Sequence, residues 1–140
     1  MMGGIYMFLY MLNEKERKNF LELAHIAVEL KGGDDKEEYN VWKSFKREVE
    51  LDDYEMVNKT IEELVTAFNS STKKIKRAVI IELAGVLDAD EVIEEKEKDW
   101  IKKLGNDLGF REAELKKLVR WTQDFNDLLK EGYEYINKRG

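Results

Sequence analysis

Nine apolar residues of this chain recur in one register 59 residues apart, and that spacing constrains the fold more than any other feature. Phe20, Leu21, Ala24 and Val28 answer to Val79, Ile80, Leu83 and Leu87. Val41, Trp42, Phe45 and Val49 answer to Trp100, Ile101, Leu104 and Leu108, and Leu51 answers to Phe110. Within each set the apolar positions lie one, three or four residues apart, the pattern of one buried helix face rather than the alternation of a strand. A period of this length corresponds to one supersecondary unit, here two helices and their connection. The chain has no proline in 140 residues. Proline breaks helix interiors, so its absence favours long uninterrupted helices joined by Gly/Asx turns.

Capping signals place the helix ends. Asn13-x-x-Glu16 reads as a capping box opening a helix that runs to Lys31, where Gly32-Gly33 stops it. Asp35-x-x-Glu38 opens a second helix. Asp52-x-x-Glu55 reads as the start of a third, carrying Met56, Val57, Ile61, Leu64, Val65 and Phe68. Ser70-Ser71-Thr72 then breaks the chain and caps the next helix. The third helices of the two halves, Asp53–Phe68 and Glu112–Leu129, do not share the register of 59. The expected fold is an all-α compact bundle of about six to eight helices in one domain, residues 1–140. It comprises an apolar segment 1–12, two related three-helix halves at about 13–69 and 70–130, and a tail 131–140 around Tyr133–Ile136.

Composition excludes several functions. Without cysteine the chain has no disulfide, thiolate metal site or cysteine nucleophile, which fits a reducing, cytoplasmic setting. A formal charge of −6 argues against nucleic acid, because phosphate binding draws on positive surface. The one basic run, Lys73-Lys74-Ile75-Lys76-Arg77, reads as a solvated helix start. Cations are unfavourable at a helix N-terminus, so the run calls for an acidic neighbour. The apolar stretch Ile5–Leu12 is far shorter than the ~20 residues of a spanning helix and lacks the flanks of a signal peptide. It is expected to fold onto the bundle, with homo-oligomerisation or membrane-surface attachment as the alternative.

Catalytic constellations are sparse. Glu22-Leu-Ala-His25 has the Glu-x-x-His spacing of di-iron bundles, but such a site needs a second copy and His25 is the only histidine. Ser44, Ser70 and Ser71 have no nucleophile-elbow context, and no phosphate-binding or zinc-protease motif occurs. Trp42 and Trp100 belong to the repeated stripes and read as core, whereas Trp121, beside Arg120 and Thr122, reads as partly exposed.

The acidic stretch Gly85–Glu97 is the one place where ligands cluster. Asp88-Ala89-Asp90 begins like a calcium loop, but Val92, Ile93 and Asp99 occupy the positions that need an oxygen ligand, glycine and glutamate. Glu94 and Glu97 answer, at the spacing of 59, to Asp35 and Glu38, so they read as another capping box, with Ile93 as the apolar residue before it. Asp88 and Asp90 have no such structural explanation.

The pattern Leu87-Asp88-Ala89-Asp90-Glu91-Val92-Ile93-x-x-x-Glu97, with Leu108-Gly109-Phe110, resembles the repeated motif of the TerB-like (tellurite-resistance) family. Ala89, Asp90, Ile93 and Glu97 match it, and Glu91 stands where the family has glycine. In the first half Gly32 and Glu38 match, but Lys31 replaces the aspartate and Asp34 the aliphatic residue. The resemblance implies an all-helical bundle of two related halves in stress-response and tellurite-resistance systems, binding a protein partner. It further implies a divalent cation, Ca²⁺, Mg²⁺ or Mn²⁺, at Asp90 and Glu97, with Asp88 and Glu94 nearby and Glu29 and Glu38 from the first half. The expected function is a non-enzymatic partner-binding module. The alternative is a metal-dependent enzyme or metal-sequestering protein using these carboxylates.

Overall fold

The structure, a computed structural model, describes residues 8–32, 35–88 and 92–138, and only the backbone of residues 35–39 and 41. The described residues form a short 3-10 turn, Leu9–Met11, and six α-helices, with no strand. The helices are α1 (Glu14–Lys31), α2 (Asp35–Glu48), α3 (Ile61–Phe68), α4 (Lys73–Leu87), α5 (Glu95–Asp107) and α6 (Glu112–Ile136). The all-α bundle expected from the periodicity is therefore present.

Local chemistry sets the helix ends. Asn13 accepts the Glu16 amide while the Glu16 carboxylate accepts the Asn13 amide, which closes a reciprocal cap on α1. Gly32 ends α1 in the left-handed region at φ 72°, where a side chain is disfavoured. Thr72 caps α4 through the Ile75 amide, as Ser70-Ser71-Thr72 predicts. The cap expected of Asp35 and Glu38 lies outside the described side chains.

One predicted helix is shorter than its sequence signals. Asp52-x-x-Glu55 does not open a helix; α3 starts at Ile61, capped by Thr60 with Glu63. Residues 52–60 form a connecting loop instead, and Val57, expected on an apolar helix face, is exposed. The physical reason is Glu22, a buried carboxylate on α1 that draws the loop's backbone onto itself. Propensity yields to a tertiary partner here.

α1 and α4 form the centre. α2 and α3 pack on α1, and α5 and α6 pack on α4, with α1 against α4 joining the two groups. Phe20, Leu21, Ala24, Ala27 and Val28 of α1 and Val79, Ile80, Leu83 and Leu87 of α4 all lie in this core. Phe45 of α2 meets Phe20 edge to face, with centroids 6.0 Å apart. Trp42 is buried and donates its indole N–H to the Leu21 carbonyl at 3.2 Å, while Trp100 is half-buried.

Leu9 and Leu12 are buried in the same core, and the Phe8 amide donates to the buried Glu82 of α4 at 3.2 Å. The described part of the N-terminal apolar stretch therefore folds onto the bundle; Ile5–Met7 lie outside the described residues. Among the described residues, no helix is long and apolar enough to cross a membrane. The residues expected as a tail continue α6, whose 25 residues extend about 37 Å. Leu128, Tyr133, Tyr135 and Ile136 are exposed on this last stretch.

The basic run at the start of α4 finds its acidic neighbour. Glu114 of α6 lies 3.6 Å from Lys73 and 3.4 Å from Arg77. Lys73 and Lys76 also donate to the Gly109 and Leu108 carbonyls just beyond α5, where cations are favourable. These cations serve the fold's own helix ends.

Candidate functional site

The acidic stretch divides among different environments. Asp88, at the end of α4, is buried, and its Oδ2 accepts from the Asn126 amide of α6 at 3.0 Å. Glu94 precedes α5 as its cap residue and is exposed. Glu97 sits in the first turn of α5, fully buried, and its Oε1 accepts the Glu94 amide at 3.0 Å, as the repeat spacing predicts. Ile93, just before the cap, is buried in the core.

Glu97 Oε1 also receives Lys31 Nζ from the last turn of α1 at 3.1 Å, and the same ammonium donates to the Val92 carbonyl at 2.7 Å. Glu97 Oε2 is buried and has no hydrogen-bond partner. Glu29 is exposed and lies 3.2 Å from His25 Nδ1, one turn back on α1. Asp90, and the side chain of Glu38, lie outside the described residues. The described candidates thus sit in separate settings: Asp88 against α6, Glu97 against Lys31, Glu29 and Glu94 at the surface.

Among the described residues, no three His, Asp or Glu side chains come together as a ligand set. A calcium ion takes roughly six to eight oxygens. Here one unpartnered oxygen belongs to a carboxylate whose other oxygen already holds an ammonium. The described residues do not fit a divalent cation.

A second buried carboxylate organises the 52–60 loop. Glu22 Oε2 accepts the Tyr54 hydroxyl at 2.5 Å and the Val57 amide at 3.1 Å, while Oε1 accepts the Lys59 amide at 2.9 Å. Asn58 between the two amides has φ 57°, a left-handed conformation that asparagine tolerates better than most residues. That turn aims both N–H groups at one anion, as in a backbone nest. Lys59 Nζ adds a bond to the buried Asn19 at 2.6 Å.

Burial, reinforced by the hydrogen bond to Glu22 and by its charge, raises the Tyr54 phenol above the ordinary tyrosine range. A folded-state value above the unfolded one means stability that is complete below about pH 10 and lost as pH rises beyond it. Tyr54→Phe is therefore expected to cost about 1.5–3 kcal/mol near neutrality, the worth of a hydrogen bond to a charged group. The gap between the two proteins should narrow above about pH 10 in urea unfolding at stepped pH. A constant gap would contradict this linkage.

A groove of about 250 Å³ lies between α5 and α6. Ile93, Ile101 and Leu115 form its buried floor, and half-buried Val119 continues it. Lys98, Lys102, Lys116 and Arg120 line it alongside one acid, Glu112. Lys102 at 3.3 Å, and then Lys116 at 3.6 Å, hold the exposed Glu112 carboxyl below the usual carboxylate range. Four cations against one anion make this face basic on a chain of net charge −6. Sites for whole small ligands run roughly 300–1,000 Å³, so this groove suits an inserted side chain better than a cofactor. Close approach of the two helices depends on Gly105, where an added Cβ would stand 2.7 Å from both Leu115 methyls.

No family model, curated protein or solved structure matches this chain. The site is accordingly read from its own chemistry. His25 is half-buried between Glu29 and the edge of Trp42, whose ring centroid is 5.8 Å away. The Ser71 hydroxyl donates to Glu16 at 2.6 Å, which ties the start of α4 to α1. Trp121 is exposed, as its neighbours suggest, and stacks on Phe125 at 5.4 Å.

Three features escape the sequence reading. Glu22 lies between Leu21 and Leu23, and Glu82 between Ile81 and Leu83; a lone acid inside an apolar run is the signal that marks each. The pairing of Lys31 with Glu97 is another: the sequence shows Lys31 in place of the motif's aspartate, opposite Asp90, but that charge reversal does not name its partner. The groove gives a weaker signal, because Leu115 and Val119 are an ordinary i, i+4 pair.

Proposed function

We propose that this chain is a non-enzymatic helical module of the TerB-like type that binds a partner protein in the α5–α6 groove. The observation that carries this reading is the groove itself, an apolar floor beside a basic surface. Such a surface matches an amphipathic segment that inserts an apolar anchor and presents acidic residues to the rim. Two further features support the family type: the nine-residue register, and the order of three helices followed by three with α1 and α4 at the centre. The motif around Ile93 and Glu97 points to the stress-response and tellurite-resistance setting named by the resemblance.

Crosslinking from the groove tests the binding face. A photo-reactive residue replacing Gln123 should capture a specific protein in the cells that make this chain, whereas one replacing exposed Lys15 on α1 should not. Val119→Glu places a charge on the apolar floor and should reduce capture by at least about tenfold, the factor given by ~1.4 kcal/mol of lost binding. Capture that survives Val119→Glu in a folded protein, or that is equal from both positions, would contradict the assignment.

A further inference from the structure

Glu97 already faces a cation supplied by the chain itself, Lys31. We infer that the Lys31 ammonium is the resident counterion of Glu97 and ties α1 to the start of α5 without a divalent ion. Its Nζ lies 2.7 Å from the Val92 carbonyl and 3.1 Å from Glu97 Oε1, a carbonyl and a carboxylate converging on one positive centre. Both side chains are withdrawn from solvent, with 14% of the Lys31 and 1% of the Glu97 side chain exposed. A buried carboxylate needs a compensating charge, and this ammonium supplies it.

Helix placement favours the same pairing. Lys31 is in the last turn of α1, where the helix end favours a cation, and Glu97 is in the first turn of α5, where it favours an anion. The pair consequently joins two helix ends of complementary polarity across 66 residues of sequence. At the repeat spacing Lys31 aligns with Asp90, so a base stands in the first half where an acid stands in the second. The exchange turns what would be one more anion into the counterion. This assignment does not depend on the groove.

Thermal unfolding of the full chain tests it. The wild type should melt at the same temperature in millimolar Ca²⁺, Mg²⁺ or Mn²⁺ as in chelator. A metal-induced rise that disappears in Glu97→Gln would overturn the proposal, because it would show that Glu97 still recruits a divalent ion. Lys31→Met should lower the melting temperature by about 10 °C, the scale expected for a buried pair broken on one side. Lys31→Met/Glu97→Gln should recover part of that loss, since no lone buried charge remains. Lys31→Met as stable as wild type would overturn it. Should Lys31→Met fail to fold, a folded double variant supports the pairing and an equally unfolded one overturns it.

Discussion

Replacing Glu22 by alanine is expected to remove about 3–5 kcal/mol of stability, the loss typical of a broken buried charged network. Glu22 is 1% exposed and holds three donors: the Tyr54 hydroxyl and the Val57 and Lys59 amides. Alanine leaves all three without their acceptor and removes most of a fully buried side chain. Each orphaned buried donor carries a desolvation cost of roughly 1–3 kcal/mol, reduced where the loop swings out to water. The effect should therefore be local before it is global. Hydrogen exchange at Val57 and Lys59 should accelerate far more than exchange in α4, and urea unfolding should give the full loss. Glu22→Gln keeps one carbonyl acceptor but turns an NH₂ toward a donor, so its loss should be intermediate. A Glu22→Ala protein within about 1 kcal/mol of wild type would refute the role of this carboxylate.

Phe20→Ala is expected to cost a comparable 3–5 kcal/mol, through lost burial plus a cavity, or about 10 °C in melting temperature for a chain of this size. Phe20 is fully buried on α1, and its ring meets Phe45 of α2 edge to face. The aromatic contact itself is worth roughly 0.5–1.5 kcal/mol beyond the area it buries. α1 supports both α2 and α3, and a void at Phe20 weakens the packing of α2 near its C-terminal end, where Phe45 sits. Thermal or urea unfolding measures the loss directly. A loss below about 1 kcal/mol would mean that the site collapses freely, contrary to the close packing around it.

These two residues show what can be read from the amino-acid pattern and what cannot. Phe20 announces itself, since it recurs at three- and four-residue spacing with Ala24, Ala27 and Val28, and helix periodicity alone assigns it to the core. The Asn13, Thr72 and Glu94 caps are equally legible, because capping chemistry is local and spans three residues. Asp52-x-x-Glu55 carries the same local signal and fails, because Glu22, 30 residues earlier, offers the loop backbone a better acceptor. No window of local sequence contains that competition. Lys31 and Glu97 lie 66 residues apart, so their pairing likewise follows only from α1 and α5 coming together. The groove is a relation between two helices: the pattern places Ile101 inside, but not the gap left between α5 and α6 or the cations around it.

We assign the buried carboxylates to the architecture and propose the α5–α6 face for recognition. Among the described residues the buried glutamates, Glu22, Glu82 and Glu97, hold a loop, the N-terminal turn and a helix junction. The groove beside α6 is the surface we propose for a partner. Heteronuclear NMR of the isotope-labelled chain, titrated with the protein captured from the groove, tests this division most directly. The amides of Ile101, Lys102, Leu115, Val119 and Arg120 are expected to shift or broaden while those of Lys31 and Glu97 hold their positions. Changes centred on Lys31, Val92 and Glu97, with the α5–α6 amides unmoved, would contradict it.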